Sequence, residues 1–237
     1  QLYLDQRLEN LIRQYYLLRL SHDRLEQDLI SRPISMRDAL LKLRGLSDPR
    51  VRVIREPVNR GKGWAVRRGI EASTGDALII QDADLEYDPK DYGVLLAAMR
   101  EEGAKVVYGN RLHKGNPRFS HLRYLLGGML VTLVTNMLFQ ARLHDEPVCY
   151  KLFDGPLIRG LNLQCKGFEF CPEVTAMVRR LGHRIVERPV SYNPRTMAQG
   201  KKIRWWDGIV ALWTLVKYRV APRSSLLKPS PPKGRLP

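Results

Sequence analysis

Three carboxylates crowd the end of one apolar run, Ala77-Leu-Ile-Ile-Gln-Asp82-Ala-Asp84-Leu-Glu86. The apolar residues read as a buried strand, and Asp82, Asp84 and Glu86 gather at its C-terminal end. Carboxylates two apart at a strand end project the same way, because side chains alternate across the pleat. Held that close they repel, and a hard divalent cation with oxygen ligands would compensate them. A metal–phosphate site is the sharper reading. The blander one is an acidic turn capping a helix that opens at Asp88-Pro89.

Three basic segments accompany the carboxylates. Asn59-Arg-Gly-Lys62-Gly63-Trp-Ala65 sets two glycines around a lysine just before a helix, where close backbone approach and the helix terminus favour an anion. Its spacing is not that of a Walker A loop, and a glycine-bearing turn with a solvated lysine is the alternative. Tyr108-Gly-Asn-Arg111 ends another strand, and an arginine fork suits a diphosphate. A surface salt bridge competes for Arg111. Tyr192-Asn-Pro-Arg195 and Gly200-Lys201-Lys202-Ile203 place further cations on a Gly-flanked loop, either a closing loop or a basic connector.

Strands and helices alternate in the stretch that must position these groups. Strands are expected at 51–54, 77–81, 105–108 and 184–192, the last an edge because of Pro189. Helices are expected at 37–44, 64–72, 91–102, 118–143, 172–181 and 205–220, with a short element at 155–163. The pattern predicts an α/β fold with a largely parallel sheet, whose strand ends bring Arg111 toward the carboxylates. The chain divides into an atypical helical segment over 1–36, a catalytic domain over 37–220 and a Pro-, Ser- and Lys-rich tail over 221–237 expected to be disordered.

Composition narrows the partners. A net charge of +16 over 237 residues calls for a polyanion: nucleic acid, an anionic membrane surface or a phosphorylated substrate. No recognition helix, zinc finger or RNA-binding motif accompanies that charge, so nucleic acid is not expected. Cys149, Cys165 and Cys171 lack metal-ligand spacing, and their odd number argues for three incidental thiols in a reducing compartment. The apolar stretch 124–139 is shorter than the ~20 residues a spanning helix needs. The expected location is cytoplasmic, peripheral to a membrane, with the Trp205–Val220 helix either as the contact or as a packed core element.

The order of the motifs is more specific than any one of them. Asn-x-Gly-Lys-Gly is followed by Gln-Asp-Ala-Asp-Leu-Glu, Tyr-Gly-Asn-Arg, His144-Asp145 with Cys149-Tyr-Lys151, Phe168-Glu-Phe with Glu173, then Tyr-x-x-Arg and Gly-Lys-Lys-Ile. This series, over about Arg37 to Tyr218, resembles the family 2 glycosyltransferases of the dolichyl- or polyprenyl-phosphate mannosyltransferase and glucosyltransferase group. The resemblance implies a GT-A fold, Mg²⁺ or Mn²⁺, a nucleotide-diphosphate sugar of the GDP-mannose or UDP-glucose type, and inverting transfer to a polyprenyl phosphate. It implies Asp82 and Asp84 as the Asp-x-Asp, with Glu86 at the same metal. Arg111 and Arg195 would hold donor and acceptor phosphates, Lys62 and Gly63 would lie near the nucleotide, and Lys201 and Lys202 in a mobile acceptor loop. Asp145 and Glu173 would be structural or sugar-contacting.

One departure stands out. That family opens with two strands carrying Pro-x-Tyr-Asn-Glu and Asp-Asp-Gly-Ser, which bind base and ribose, whereas residues 1–36 hold neither motif. The sequence therefore reads as truncated, spliced or frame-shifted before Arg37, and donor binding is expected to be weak or absent. A non-catalytic basic binding protein built on the same fold is the alternative function, and a glycan or protein acceptor is a third.

Overall fold

The computed structural model describes residues 54, 56, 58–82, 86–113, 116, 122–194 and 205–229. They lie almost wholly in one compact unit, Val58–Pro237, separate from a unit formed by Gln1–Pro57. The helix expected at 37–44 and the strand at 51–54, apart from an exposed Ile54, fall outside the described residues.

Helix α1 (Lys62–Ala72) starts from Gly61, whose φ of 95° is the left-handed region that favours glycine. It leads to β1 (Ala77–Ile79), which is half-buried at most, with Ile80 buried just beyond it. Asp88 caps a 3-10 turn at Pro89–Asp91 by accepting from Lys90 N at 3.0 Å. Helix α2 (Tyr92–Glu101) follows, then β2 (Val106–Asn110), buried up to its last residue. After α3 (Leu122–Phe139) come β3 (Lys151–Asp154), α4 (Gly155–Gly160) and α5 (Phe170–Arg180). The remaining elements are β4 (Val186–Pro189) and α6 (Trp205–Val220).

The described strands form one sheet in the order β1-β3-β2-β4, flanked by helices. β4 runs parallel to β2, but β3 lies antiparallel to both β1 and β2. Among the described strands the sheet is thus mixed rather than largely parallel. The cause is β3, which the sequence reading left without a strand: it is four residues long and opens on a lysine. Lys151 is nonetheless completely buried. Its ammonium donates to Glu146 O at 2.7 Å and sits 3.4 Å from the centre of the Tyr108 ring. β4 ends on Pro189 at the margin of the described sheet, where a missing N–H costs no ladder bond.

Helices α3, α5 and α6 pack on one another. Residues 170–178 of α5 are all buried, so this helix is the hub. Its consecutive arginines finish its neighbours. Arg179 donates to Phe139 O and Gln140 O at the end of α3, and Arg180 to Tyr218 O and Ala221 O at the end of α6. The segment expected to start a disordered tail is ordered as far as residue 229. Leu226 is fully buried, Leu227 bridges Leu161, and Asn162 N donates to Leu226 O at 2.9 Å. Burying that leucine supplies the ordering energy that a Pro- and Ser-rich composition conceals. Residues 230–237 lie outside the described part.

Candidate functional site

The Lys62 ammonium meets the Asp82 carboxylate at 2.6 Å, linking the first turn of α1 to the loop after β1. Each side chain is about one-fifth exposed, at 19% and 20%, so the pair is sheltered yet reachable. The same ammonium lies 2.9 Å from Cys149 Sγ and 5.9 Å from the centre of the Phe168 ring. Burial works against the lysine's charge, and the Asp82 carboxylate held against it favours that charge, so its pKa lies above the usual lysine value. Burial also pushes the Cys149 thiol up, despite the nearby ammonium. The charges that matter are therefore Lys62 positive and Asp82 negative, with a neutral thiol between them.

The glycines around Lys62 have a structural task. A Cβ on Gly61 would fall 2.3 Å from Lys166 O, and one on Gly63 2.8 Å from Gly167 O. Trp64 N donates to Lys166 O at 3.1 Å. The close approach expected for a ligand is thus made to the 165–167 backbone, which takes one of the N–H groups at the start of α1. Glu173 fixes that backbone in turn, accepting from Gln164 N at 2.7 Å, Cys165 N at 2.9 Å and the Tyr218 hydroxyl. Glu173 is a structural anchor.

Arg111, expected to hold phosphate, is gripped by Asp145. Its Nε and Nη2 donate to the two carboxylate oxygens at 2.7 and 2.6 Å, and its backbone N donates at 2.9 Å. Asp145 is itself set by β4, since its N donates to Glu187 Oε1 at 3.0 Å. The guanidinium lies 5.1 Å from the centre of the Tyr192 ring. Glu86 is buried and accepts from the Tyr192 hydroxyl at 3.1 Å, while its carbonyl accepts from Asn193 N at 2.8 Å. Glu86 thereby ties the loop after β1 to the segment leading into Arg195.

Several residues missed in the sequence join these two clusters. Tyr87 stacks on Tyr150 with ring centres 4.6 Å apart and leans on Tyr192 at 5.4 Å. The Tyr87 hydroxyl accepts from Cys149 N at 3.2 Å. Gln81 Oε1 accepts from the hydroxyls of Tyr92 and Tyr150, and its amide donates to Asp82 O at 2.7 Å. The only sequence signal was a tyrosine beside or within several of the motifs: Tyr87, Tyr150 and Tyr192. Lys62, Gly63, Asp82, Glu86 and Arg111 are placed by the structure, whereas Asp84, Arg195, Lys201 and Lys202 lie outside the described residues, as does the whole of 1–36 on which the expectation of weak donor binding rests.

The sequence profile described as Glycosyl transferase family 2 matches residues 31–156. Dolichyl-phosphate beta-glucosyltransferase ALG5A of Trichomonas vaginalis is 28% identical over 152 residues, which are 61% of this chain and 46% of that protein. The chain therefore spans less than half the length of that relative. Undecaprenyl-phosphate mannosyltransferase of Micrococcus luteus is 26% identical over 202 residues, 75% of this chain and 79% of that protein. Glucosyl-3-phosphoglycerate synthase of Mycobacterium tuberculosis, solved with Mn²⁺, UDP-glucose and glycerol 3-phosphate, superposes with a TM-score of 0.51 at 17% identity, covering 70% of this chain and 58% of that one. At that identity the likeness establishes the fold, a GT-A-type sheet between helices.

Proposed function

The chain belongs to glycosyl transferase family 2, and from that premise we propose that it moves a hexose from a nucleotide-diphosphate sugar, of the UDP-glucose or GDP-mannose type, to a polyprenyl phosphate. The observation that carries the reading is the sheltered Lys62–Asp82 pair after β1, in a chain whose matched relatives are named for dolichyl and undecaprenyl phosphates. A lipid phosphate is already an anion, so its oxygen needs no strong base to attack the anomeric carbon. Attack opposite the departing diphosphate forms one C–O bond as the other breaks, and inverts that centre. What remains costly is bringing two anions together and stabilising the one that leaves.

Asp82 and Asp84 are the residues that would hold Mg²⁺ or Mn²⁺, which when bound supplies Lewis-acid charge to the diphosphate oxygens. Asp82 suits this, because it presents a hard carboxylate oxygen that is sheltered yet reachable. Glu86 in the same role would have to release the Tyr192 hydroxyl. Lys62 offers its ammonium toward the diphosphate beside Asp82. Arg111, fixed in orientation by Asp145, and Arg195 supply charge for the phosphates, and Lys201 and Lys202 serve the acceptor loop.

A membrane surface completes the proposal. Helices α3 and α6 are neighbours, and each is apolar on its outward side as well as its inward one. Of seventeen large hydrophobic side chains exposed among the described residues, eleven sit on these two packed helices, so exposed apolar surface is concentrated there. No helix among the described residues is long and apolar enough to cross a membrane. With a net charge of +16, peripheral attachment to the anionic cytoplasmic face fits both features. The test uses the chain with undecaprenyl phosphate in vesicles, Mn²⁺, and radiolabelled UDP-glucose or GDP-mannose. Labelled lipid is expected, formed slowly because residues 1–36 lack the family's base- and ribose-binding motifs, and is expected to vanish in Asp84→Ala with the circular dichroism spectrum intact. Failure of the unaltered chain to label lipid with either donor would overturn the reading.

A further inference from the structure

Two features of Lys62 are not explained by nucleotide binding alone. Its ammonium reaches 2.6 Å from Asp82, and its backbone is held by the 165–167 segment through Trp64 N and the two crowded glycines. A fixed backbone carrying a long, flexible stem is a tethered cation, able to swing while its root stays in place. We propose that Lys62 is a resident counter-cation for Asp82 that competes with the divalent ion, so that the metal enters together with a nucleotide diphosphate and binds poorly by itself. The inference rests on the glycosyltransferase reading of this site and adds an order of loading to it.

The competition is electrostatic. An ammonium and a divalent ion cannot both sit against one sheltered carboxylate without strong repulsion, because a pair only one-fifth exposed is poorly screened. The ammonium is also costly to release without a new partner. Burial opposes its charge, and the nearest other group, Cys149, is a neutral thiol. A diphosphate removes both obstacles, since it offers the ammonium an anion and adds oxygen ligands for the metal. The gain is selectivity: Asp82 is kept from trapping a bare metal ion in the absence of donor.

The experiment titrates Mn²⁺ alone into the full chain, following the electron paramagnetic resonance signal of unbound Mn²⁺, and repeats this with UDP present. Lys62→Met keeps the stem and removes the charge; Lys62→Gln is a second neutral variant should the first fold poorly. Either is expected to bind Mn²⁺ alone at least tenfold tighter than the unaltered chain, and to bind UDP with Mn²⁺ more weakly. The double variant Lys62→Met/Asp82→Asn should lose the gain. Unchanged affinity for Mn²⁺ alone in both neutral variants would overturn the exchange, even with UDP-dependent Mn²⁺ binding intact. An unaltered chain that binds no Mn²⁺ with UDP defeats the glycosyltransferase reading beneath it, and the exchange with it.

Discussion

Asp145 shows how much of this site is built from charges that serve one another. It is 3% exposed and accepts three N–H groups of Arg111, so truncating it leaves a largely sheltered guanidinium, 14% exposed, without its main partner. Asp145→Ala is expected to destabilise the fold by about 3–5 kcal/mol, read from urea unfolding. Arg111→Lys should also fail, since one ammonium cannot reproduce the two parallel bonds. Cys149 gives an expectation of the opposite kind. Although it lies beside an ammonium, burial pushes its thiol above the ordinary range, so the thiolate is scarce at neutral pH. Iodoacetamide should alkylate it at least tenfold more slowly than a small-molecule thiol at pH 8, and faster only as pH rises well beyond 9. A rate equal to that of the small thiol would show the burial argument to be wrong. The roles proposed for Asp82, Lys62 and Arg111 rest on their types and their order along the chain, which the sequence displays directly. That Arg111 is clamped by Asp145, and Glu86 by Tyr192, was not legible there, since those partners lie 34 and 106 residues away.

Among the elements, the 164–169 loop transmits order from the helical layer to Lys62. Glu173 on α5 holds its start, and Glu169 holds Lys166 N at 2.8 Å and Gly167 N at 3.0 Å. Partial burial works against the Glu169 charge, but the N–H bonds from Gly167 and Lys166 win and bring its pKa below the usual value of 4.5. A depressed folded-state pKa means stability that is complete above pH 4.5 and is lost as pH falls through the folded value. Glu169→Gln should therefore be less stable than the unaltered chain at pH 7, with the gap closing as pH falls below 4.5. A gap independent of pH in thermal melts would refute it. Gly63→Ala should strain the same contact, because its Cβ would meet carbonyl oxygen and Cys165 sulfur at 3.0 Å or less. A cost of about 1–3 kcal/mol is expected, as for other overpacked positions. Helices α1, α2, α5 and α6 were legible from periodicity and from Pro and Gly punctuation. Strand β3 was not, because the buried Lys151 that opens it breaks the apolar run, and its charge is accommodated by the carbonyl and carboxylate of Glu146 and by the Tyr108 ring, all brought in by folding.

For the molecule as a whole, charge and apolar surface point to the same partner. On α6 the exposed positions 205, 206, 209, 213, 216 and 220 follow a helical period, and the buried positions 211, 214, 215 and 218 form the opposite stripe. On α3 the exposed set 126, 129, 130, 133 and 137 does the same. The sequence made the apolar content visible, but only the packing of both helices on α5 separates the core side from the outer one. Trp205 and Trp213, at 77% and 66% exposure, contribute little to folding and should contribute much to lipid binding. Replacing both with Asp withdraws two aromatic anchors and adds two negative charges. Each lost Trp is worth roughly 2 kcal/mol of apolar transfer, and each unit of charge near an anionic surface about 1 kcal/mol. Co-sedimentation with phosphatidylglycerol vesicles should accordingly fall by at least a hundredfold in apparent affinity, while the melting temperature stays within a few degrees. Raising the salt should weaken binding of the unaltered chain but not abolish it, because screening removes the charge contribution and leaves the insertion of Trp and Leu side chains. Vesicle binding that is untouched by the double substitution, or wholly lost in high salt, would mean that the apolar face meets something other than lipid.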